Sequence, residues 1–559
     1  MHSSIRPNQF VVIQLPSDQT RIVKLVPNTI VQLGKYGSFA ANQILGRPFF
    51  LTFEILDAPQ SDGYQLRIVP AEELHAEHLI EEAEADGEGE GEGEEAGSGA
   101  GTPMRTNRNI VDDASTQKLT TQEIEELKKE ASGAGKDIVA KLLESHTNLD
   151  KKTAFSLAKY TLRKRKKYIR RFTVLPLDVG FLTNYLLDQR DAQRAMELRD
   201  EHVGLLGCLG NVHHGGDSTL NAISSIKPNG RYLVVDETGG LIVAAMAERM
   251  GILYPEDDDE GQETTEDSSL VQDGTGKTEK KTTSTPRRKR PRPMSASGNT
   301  ITIIHAYSQP NLSLLKYFGY DINTPDESHP LHTHLKTVSW LQLVDPATDP
   351  ILSNEPPSLS AEELASLKPS KRTAYYFKRN RWEKFRAVTD EARAGGFDGL
   401  IAATLLEPAG ILKHAVPLLS GSAAVAIYSP TIEPLTELMD LYSTARRTAF
   451  INRKRDLEMQ KTSKAETVGL TPLFEDFPLD PTRLLPPTLH TTRVRAWQVL
   501  PGRTHPLMTG RGGAEGYLFH GVHVIPTASN IQAAGTFRKK RKVETTSTPV
   551  SDRDVDMAS

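Results

Sequence analysis

In the first seventy positions apolar residues fall in short runs broken by turn formers. QFVVIQL, TRIVKLV, TIVQLG, FFLTFEIL and YQLRIV, all between residues 8 and 70, are rich in β-branched and aromatic side chains and are separated by Pro, Asn, Gly or Asp. This punctuation predicts five short strands, and strands at such regular spacing predict a small β-barrel. The period then changes. Thr120, with Glu123 three residues on, forms a capping box ahead of IEELKKE, and further regular stretches are expected at about 135–145, 151–168 and 181–207. From 217 onward strands and helices alternate. Asp217 caps a helix through STLNAISSI, RYLVVD is a buried-type strand, ETGG a tight turn, and LIVAAMAERM a helix ended by Gly251. ITIIHAY is the next strand, with a helix near 311–318; FDGLIAAT and AAVAIYS are strands each followed by a helix. Alternation of this kind predicts a parallel, doubly wound sheet. RVRAWQVL (493–500) and GYLFHGVHVI (516–525) have no helix between them and predict an antiparallel edge hairpin.

Several segments cannot bury a core. Residues 77–95 hold ten acids and no Lys or Arg; residues 255–298 are almost wholly polar, with only Leu270, Val271 and Met294 apolar beyond small residues. The expected order is therefore a β-barrel over 1–76, a disordered acidic insertion over 77–106 and a helical connector over 107–200. A Rossmann domain follows over 201–537, with disordered insertions at about 255–298 and 345–372, and then a disordered basic tail over 538–559.

Composition adds three points. Of the 559 residues 37% are hydrophobic, a low share that fits this much disorder. The net charge of −5 conceals a basic stripe, RKRKKYIRR at 163–171, with seven bases and no acid. Lys164, Arg165, Lys166, Lys167, Arg170 and Arg171 include positions on one helical face, flanked by Tyr160, Tyr168 and Phe172. Bases neutralise phosphates and aromatics stack on exposed bases, so the stripe is the first RNA candidate; a solvated face or a subunit contact is the bland reading. Lys378, Arg379 and Arg381, with Lys384, Arg386, Trp382 and Phe385, form a second cluster on an amphipathic helix. Third, the single Cys208 allows neither an intrachain disulfide nor a cysteine zinc cluster, and its apolar neighbours predict a packed core residue. His213 and His214 read as loop, not metal ligands. The GTGKT run at 274–278 lacks both the first glycine and the preceding strand of a phosphate-binding loop. The Gly-rich GRGGAEG at 510–516 reads as a loop at a subunit or RNA interface, or as a plain structural turn. No signal peptide or membrane-length apolar run is evident, so a soluble intracellular protein without membrane contact is expected. PRRKRPRP (286–293) and RKKRK (538–542) read as nuclear localisation signals.

Four runs carry a family resemblance: NRNIVDDASTQKLTTQEIEELKKE (107–130), KTAFSLAKYTLRKRKKYIRRFTVL (152–175), YLVVDETGGLIVAAMAERMG (232–251) and GRTHPLMTGRGGAEGYLFHGVHVIP (502–526). They resemble the non-catalytic subunits of the eukaryotic tRNA (adenine-58-N1)-methyltransferase. The resemblance implies a nuclear heterotetramer of two such chains with two catalytic chains, acting on tRNA, with S-adenosylmethionine bound by the catalytic partner and no cofactor in this chain. The residues agree. A methyltransferase needs a Gly-rich turn after its first strand so that the backbone can approach the cofactor. Here the turn is Asp236-Glu237-Thr238-Gly239-Gly240-Leu241, with two adjacent glycines and a branched Leu at once behind them. The next strand ends His305-Ala306-Tyr307, without the acid that would bond the ribose. The fourth offers Ala403 and Thr404, with Glu407 a few residues later, where an Asp would handle the adenine. An active enzyme with an unusual cofactor turn, or a nuclear RNA-binding or translation-associated scaffold, are the alternatives.

Overall fold

Why two sheets form follows from the two kinds of strand. In the N-terminal sheet most strands are short and only partly covered; in the second the central strands are almost continuously buried, as a sheet covered on both faces requires. The computed structural model describes residues 4–17, 19–60, 63–74, 135–145, 161, 164, 168–188, 191–214, 230–255, 299–463, 476–495, 497–500, 503–506 and 514–526. The expected acidic insertion, the capping box at Thr120, the helix capped by Asp217, the 255–298 insertion and the basic tail lie outside these residues.

The first sheet contains β1 (Phe10–Gln14), β2 (Thr20–Lys24), β3 (Ile30–Gln32), β4 (Ser38–Ala40), β5 (Thr52–Gln60), β6 (Gly63–Ile68) and β7 (Arg171–Pro176), in the order β2-β1-β7-β5-β6-β4-β3. β7 arrives about a hundred residues after β6 and inserts between β1 and β5, antiparallel to both: Val12 faces Leu175, and Phe53 faces Phe172. The expected five-stranded barrel of residues 8–70 is thus corrected to a seven-stranded sheet that needs a strand from the expected connector. β1, β3, β4, β5 and β7 all feed one core. There Phe39 and Phe53 stack on Phe172, with ring centroids 4.6 and 5.5 Å apart. Removing β7 would strip that core of Phe172 and Val174, both essentially inaccessible to solvent.

Helix α1 (Gly135–Glu144) precedes β7; α2 (Val179–Asp188) and α3 (Asp200–Leu209) follow it. Their buried residues Val179, Leu182, Leu186 and Leu206 pack into the core of the second sheet, so 179–200 belongs with that layer and not with a separate connector. The second sheet holds β8 (Arg231–Asp236), β9 (Thr300–His305), β10 (Leu335–Ser339), β11 (Phe397–Ala403), β12 (Leu419–Ser429), β13 (Thr488–His490) and β16 (Tyr517–Val522), ordered β10-β9-β8-β11-β12-β16-β13. The first five run parallel; β16 is antiparallel to β12, and β13 to β16. This is the strand order of a Rossmann-like methyltransferase sheet, read directly from the pairing. Helix α4 (Leu241–Met250) leaves β8, α5 (Pro369–Ala394) precedes β11, α6 (Pro408–Ala415) and α7 (Glu433–Leu441) flank β12, and α8 (Thr444–Ser463) follows.

Two expectations fail here. The predicted hairpin of 493–500 with 516–525 does not form: β14 (Trp497–Leu500) pairs instead with β15 (Arg503–Pro506) as a separate two-stranded sheet, and β13 takes the place beside β16. Residues 345–372, expected to be disordered, carry helices Pro350–Ser353 and Ala361–Ser366 and the start of α5. The segment has few apolar side chains, but its polar ones cap its own helices. Asp349 accepts from the N–H groups of Ile351 and Leu352, and Ser360 and Glu363 form a reciprocal capping box. The buried Trp382 of α5 then clamps it, donating to the Leu352 carbonyl at 3.1 Å. Among the described residues no helix is long and apolar enough to cross a membrane.

Candidate functional site

At the carboxyl end of β8 the chain must turn sharply into α4, and the glycines permit it: Gly239 and Gly240 have φ of 76° and 93°, where L side chains are strained. In a methyltransferase sheet this turn faces a cofactor. Here it faces the segment that follows β9. The Leu314 N–H donates to the Gly239 carbonyl at 3.0 Å. A Cβ added to Gly240 would lie 3.2 Å from the Leu312 Cα and 3.4 Å from the Leu315 side chain, so the glycine serves the packing of leucines against the turn. Leu241, Leu312, Leu314 and Leu315 are all buried. Ser313 is held from the other side by Arg194, 2.8 Å away. Three leucines and a backbone hydrogen bond thus cover the glycines of this turn.

The turn's polar groups are also spent internally. One oxygen of Asp236 accepts from the N–H of Thr238 (2.7 Å) and its hydroxyl (2.6 Å); the other accepts from the Val243 N–H (3.1 Å). Burial pushes the Asp236 carboxyl up while these donors pull it down. Glu237 accepts from the Leu405 N–H, which ties the turn to the end of β11. There Ala403 and Thr404 are buried and Glu407 is exposed, one residue before α6. His305 ends β9 with Nδ1 donating to the Tyr307 carbonyl, and burial holds its imidazole below the usual histidine range. Below the leucine segment, His329 Nε2 donates to the Phe318 carbonyl while Nδ1 accepts from the Leu331 N–H.

That second bond requires a neutral ring, and burial likewise depresses His329. The proton favours the unfolded chain. The stability this histidine contributes is present above its unfolded value of about 6.5 and is lost as pH falls through its lower folded value. His329→Gln should therefore flatten the decline in melting temperature between about pH 7 and pH 5. An unchanged slope would show that other groups carry the acid sensitivity.

The basic stripe divides. Arg165, Lys166 and Lys167 lie outside the described residues. Lys164 and Arg170 are half-buried, and each has a partner within the fold. Arg171 corrects the expectation: it starts β7 and is buried, its guanidinium paired with Glu73. Arg67 joins Glu73 at 3.2 Å and also pairs with Glu54. Burial opposes the charge on Glu73, yet Arg171 and Arg67 hold its carboxyl below the usual range. Arg171 is a tie between β7 and the chain after β6. Arg171→Ala should cost roughly 1–3 kcal/mol, since a buried pair is broken beside a partly exposed acid. It should leave the salt dependence of any RNA binding unchanged. A fall of about one in that slope would instead make it a phosphate contact.

Cys208, expected in the core, is exposed on α3 with its sulfur 3.3 Å from Arg249. His213 bonds the Asn211 carbonyl, and no cluster of potential metal ligands occurs among the described residues. Of the Gly-rich loop only 514–516 is described: Arg199 donates to the Ala514 carbonyl, and Gly516 (φ 74°) abuts His202.

Residues 4–368 match the Gcd10p family. The chain belongs to that family. A relative from Aspergillus oryzae, the tRNA (adenine(58)-N(1))-methyltransferase non-catalytic subunit, is 61% identical over 99% of this chain and 98% of its own. The protein of the same description from Aspergillus fumigatus is 60% identical over the full length of both. Among solved structures, an S-adenosylmethionine-dependent O-methyltransferase from Thermotoga maritima aligns over 94% of this chain and 97% of its own at 8% identity and a TM-score of 0.36. The fold rests on the strand order.

The second basic cluster of this Gcd10p-family chain lies on α5. Lys378 and Arg381 are exposed; Arg379 is half-buried and paired with Glu383 at 2.8 Å; Arg386 lies over the Trp382 ring at 5.1 Å. Trp382 is in the core and offers no stacking face, but Phe377 on the same helix is 74% exposed. Sequence reasoning missed Phe377, and it missed α8, where Lys454 and Arg455 are exposed beside Ile451. The signal is present in INRKRDLEM, a basic run within Thr444–Ser463 that none of the sequence expectations covers.

Proposed function

We propose that this chain is the non-catalytic, tRNA-binding subunit of the tRNA (adenine-58-N1)-methyltransferase, and that it positions tRNA for a catalytic partner that binds S-adenosylmethionine. One observation carries the reading: the turn at Gly239 and Gly240, where a methyltransferase meets its cofactor, is packed against Leu312, Leu314 and Leu315. No acid ends β9 or β11. A chain of this fold without a cofactor still presents a methyltransferase-shaped surface for pairing with a true one. The exposed bases of α5 and α8 supply phosphate contacts. The assembly is two of these chains with two catalytic chains, and the clusters PRRKRPRP and RKKRK direct it to the nucleus.

The experiment is methyl transfer to a tRNA transcript by this chain, by the catalytic chain and by the two co-expressed. Activity confined to the mixture is expected. Activity in this chain alone would make it an enzyme; full activity of the catalytic chain alone would remove its role.

A further inference from the structure

Beside the edge strand β10 lies a cavity of about 550 Å³ that shares no residue with the turn at 236–241. Its walls come from the loop after β9 (His305 to Pro310), from β10, and from Arg381, Lys384, Phe385 and Val388 of α5. Its charges do not balance. The Lys336 ammonium on its floor is taken by both carboxylate oxygens of Glu391, at 2.6 and 2.7 Å. Asp349 is buried and occupied in capping the helix at 350–353. That leaves Arg381 and Lys384, neither of which forms a salt bridge among the described residues. Lys384 is exposed and lines the cavity, and partial burial holds its amine below the usual lysine range. Two cations on one wall with no carboxylate bonded to them favour an anion in the space between.

The rest of the lining says which kind. Inorganic phosphate would leave most of this volume empty. Tyr307, 70% exposed, and Phe385 both line it, with the Arg381 guanidinium 5.6 Å from the Phe385 ring centroid. Flat rings beside two cations match a planar base joined to a phosphate. We infer that this cavity binds one nucleotide unit, its base against Tyr307 and Phe385 and its phosphate between Arg381 and Lys384. Resting on the tRNA-binding reading, the unit is an unpaired nucleotide of the bound RNA; a free nucleotide has the same chemistry.

The test uses the full-length chain in complex with its catalytic partner, with a tRNA transcript and adenosine monophosphate as separate probes. The variants are R381E/K384E, Tyr307→Ala, and K378E as an exposed charge on the same helix outside the cavity. Expected are a loss of tenfold or more in tRNA affinity for R381E/K384E, about threefold or more for Tyr307→Ala, and a smaller loss for K378E than for the double variant. Saturable binding of adenosine monophosphate that both cavity variants abolish, with tRNA affinity unchanged, would assign the site to a free nucleotide. If neither probe responds to the cavity variants while the wild-type complex binds tRNA, the inference is wrong and the tRNA reading stands. If K378E matches the double variant and Tyr307→Ala does nothing, diffuse charge explains the binding and the inference is likewise overturned. If the wild-type complex fails to bind tRNA, the tRNA reading falls, and the adenosine monophosphate arm decides the cavity by itself.

Discussion

Leu314→Ala should destabilise the Rossmann-like layer by roughly 2–5 kcal/mol, the usual cost of truncating a fully buried leucine. Leu314 is wholly inaccessible, packs on Gly239 and donates its N–H to that glycine's carbonyl. The lost side chain therefore leaves a cavity directly over the turn, between the residues that join β8 to α4. The measurement is thermal or denaturant unfolding of the complex, followed by a binding assay for S-adenosylmethionine on this chain. Lower stability with no gain of cofactor binding is the expected pair. Opening the space restores neither an acid at the end of β9, where His305 stands, nor one at Ala403. Near-wild-type stability would mean that the leucine segment is not packed on the turn and that the glycines there lie open.

Asp236→Ala is the second large effect. Three donors, the N–H and hydroxyl of Thr238 and the N–H of Val243, converge on one buried carboxyl. Removing it strands all three among Leu241, Ile242 and Val243, which are buried. At about 1–3 kcal/mol for each buried group left unsatisfied, with non-additivity, a loss of roughly 3 kcal/mol is expected. Asp236→Asn keeps an acceptor for Thr238 but turns an amide N–H₂ toward the Val243 N–H, so it should cost less, about 1–2 kcal/mol. Equal effects of Ala and Asn would show that charge matters here and hydrogen bonding does not. The role of Asp236 is then structural: it holds the turn, where the same position in a working methyltransferase sheet would serve a cofactor site.

Legibility followed locality. The strands RYLVVD, ITIIH and FDGLIAA stood out because each is a continuous apolar run, which a sheet covered on both faces requires. The helix at 241–250 and its stop at Gly251 were equally plain, since a cap is a property of neighbouring residues. β10 carries no such mark, because LKTVS is short and half polar. The candidate site was legible in its turn and its missing acids, but not in what fills it: nothing in PNLSLLKYF says that its leucines will lie on a glycine turn seventy residues earlier.

By itself the sequence determined the alternation of strand and helix, the conformation of the turn at Gly239 and Gly240, and the absence of a carboxylate at the ends of β9 and β11. These depend on backbone preference and residue type, which are fixed before any long-range contact forms. The tertiary structure decided the insertion of β7 between β1 and β5, the burial of Arg171 against Glu73, the ordering of 345–372 under Trp382, and the gathering of Arg381, Lys384, Phe385 and Tyr307 around one cavity. A charge or a leucine carries no mark of whether it will face water or a partner. That is set by the segment that packs on it, and here each such segment comes from a distant part of the chain.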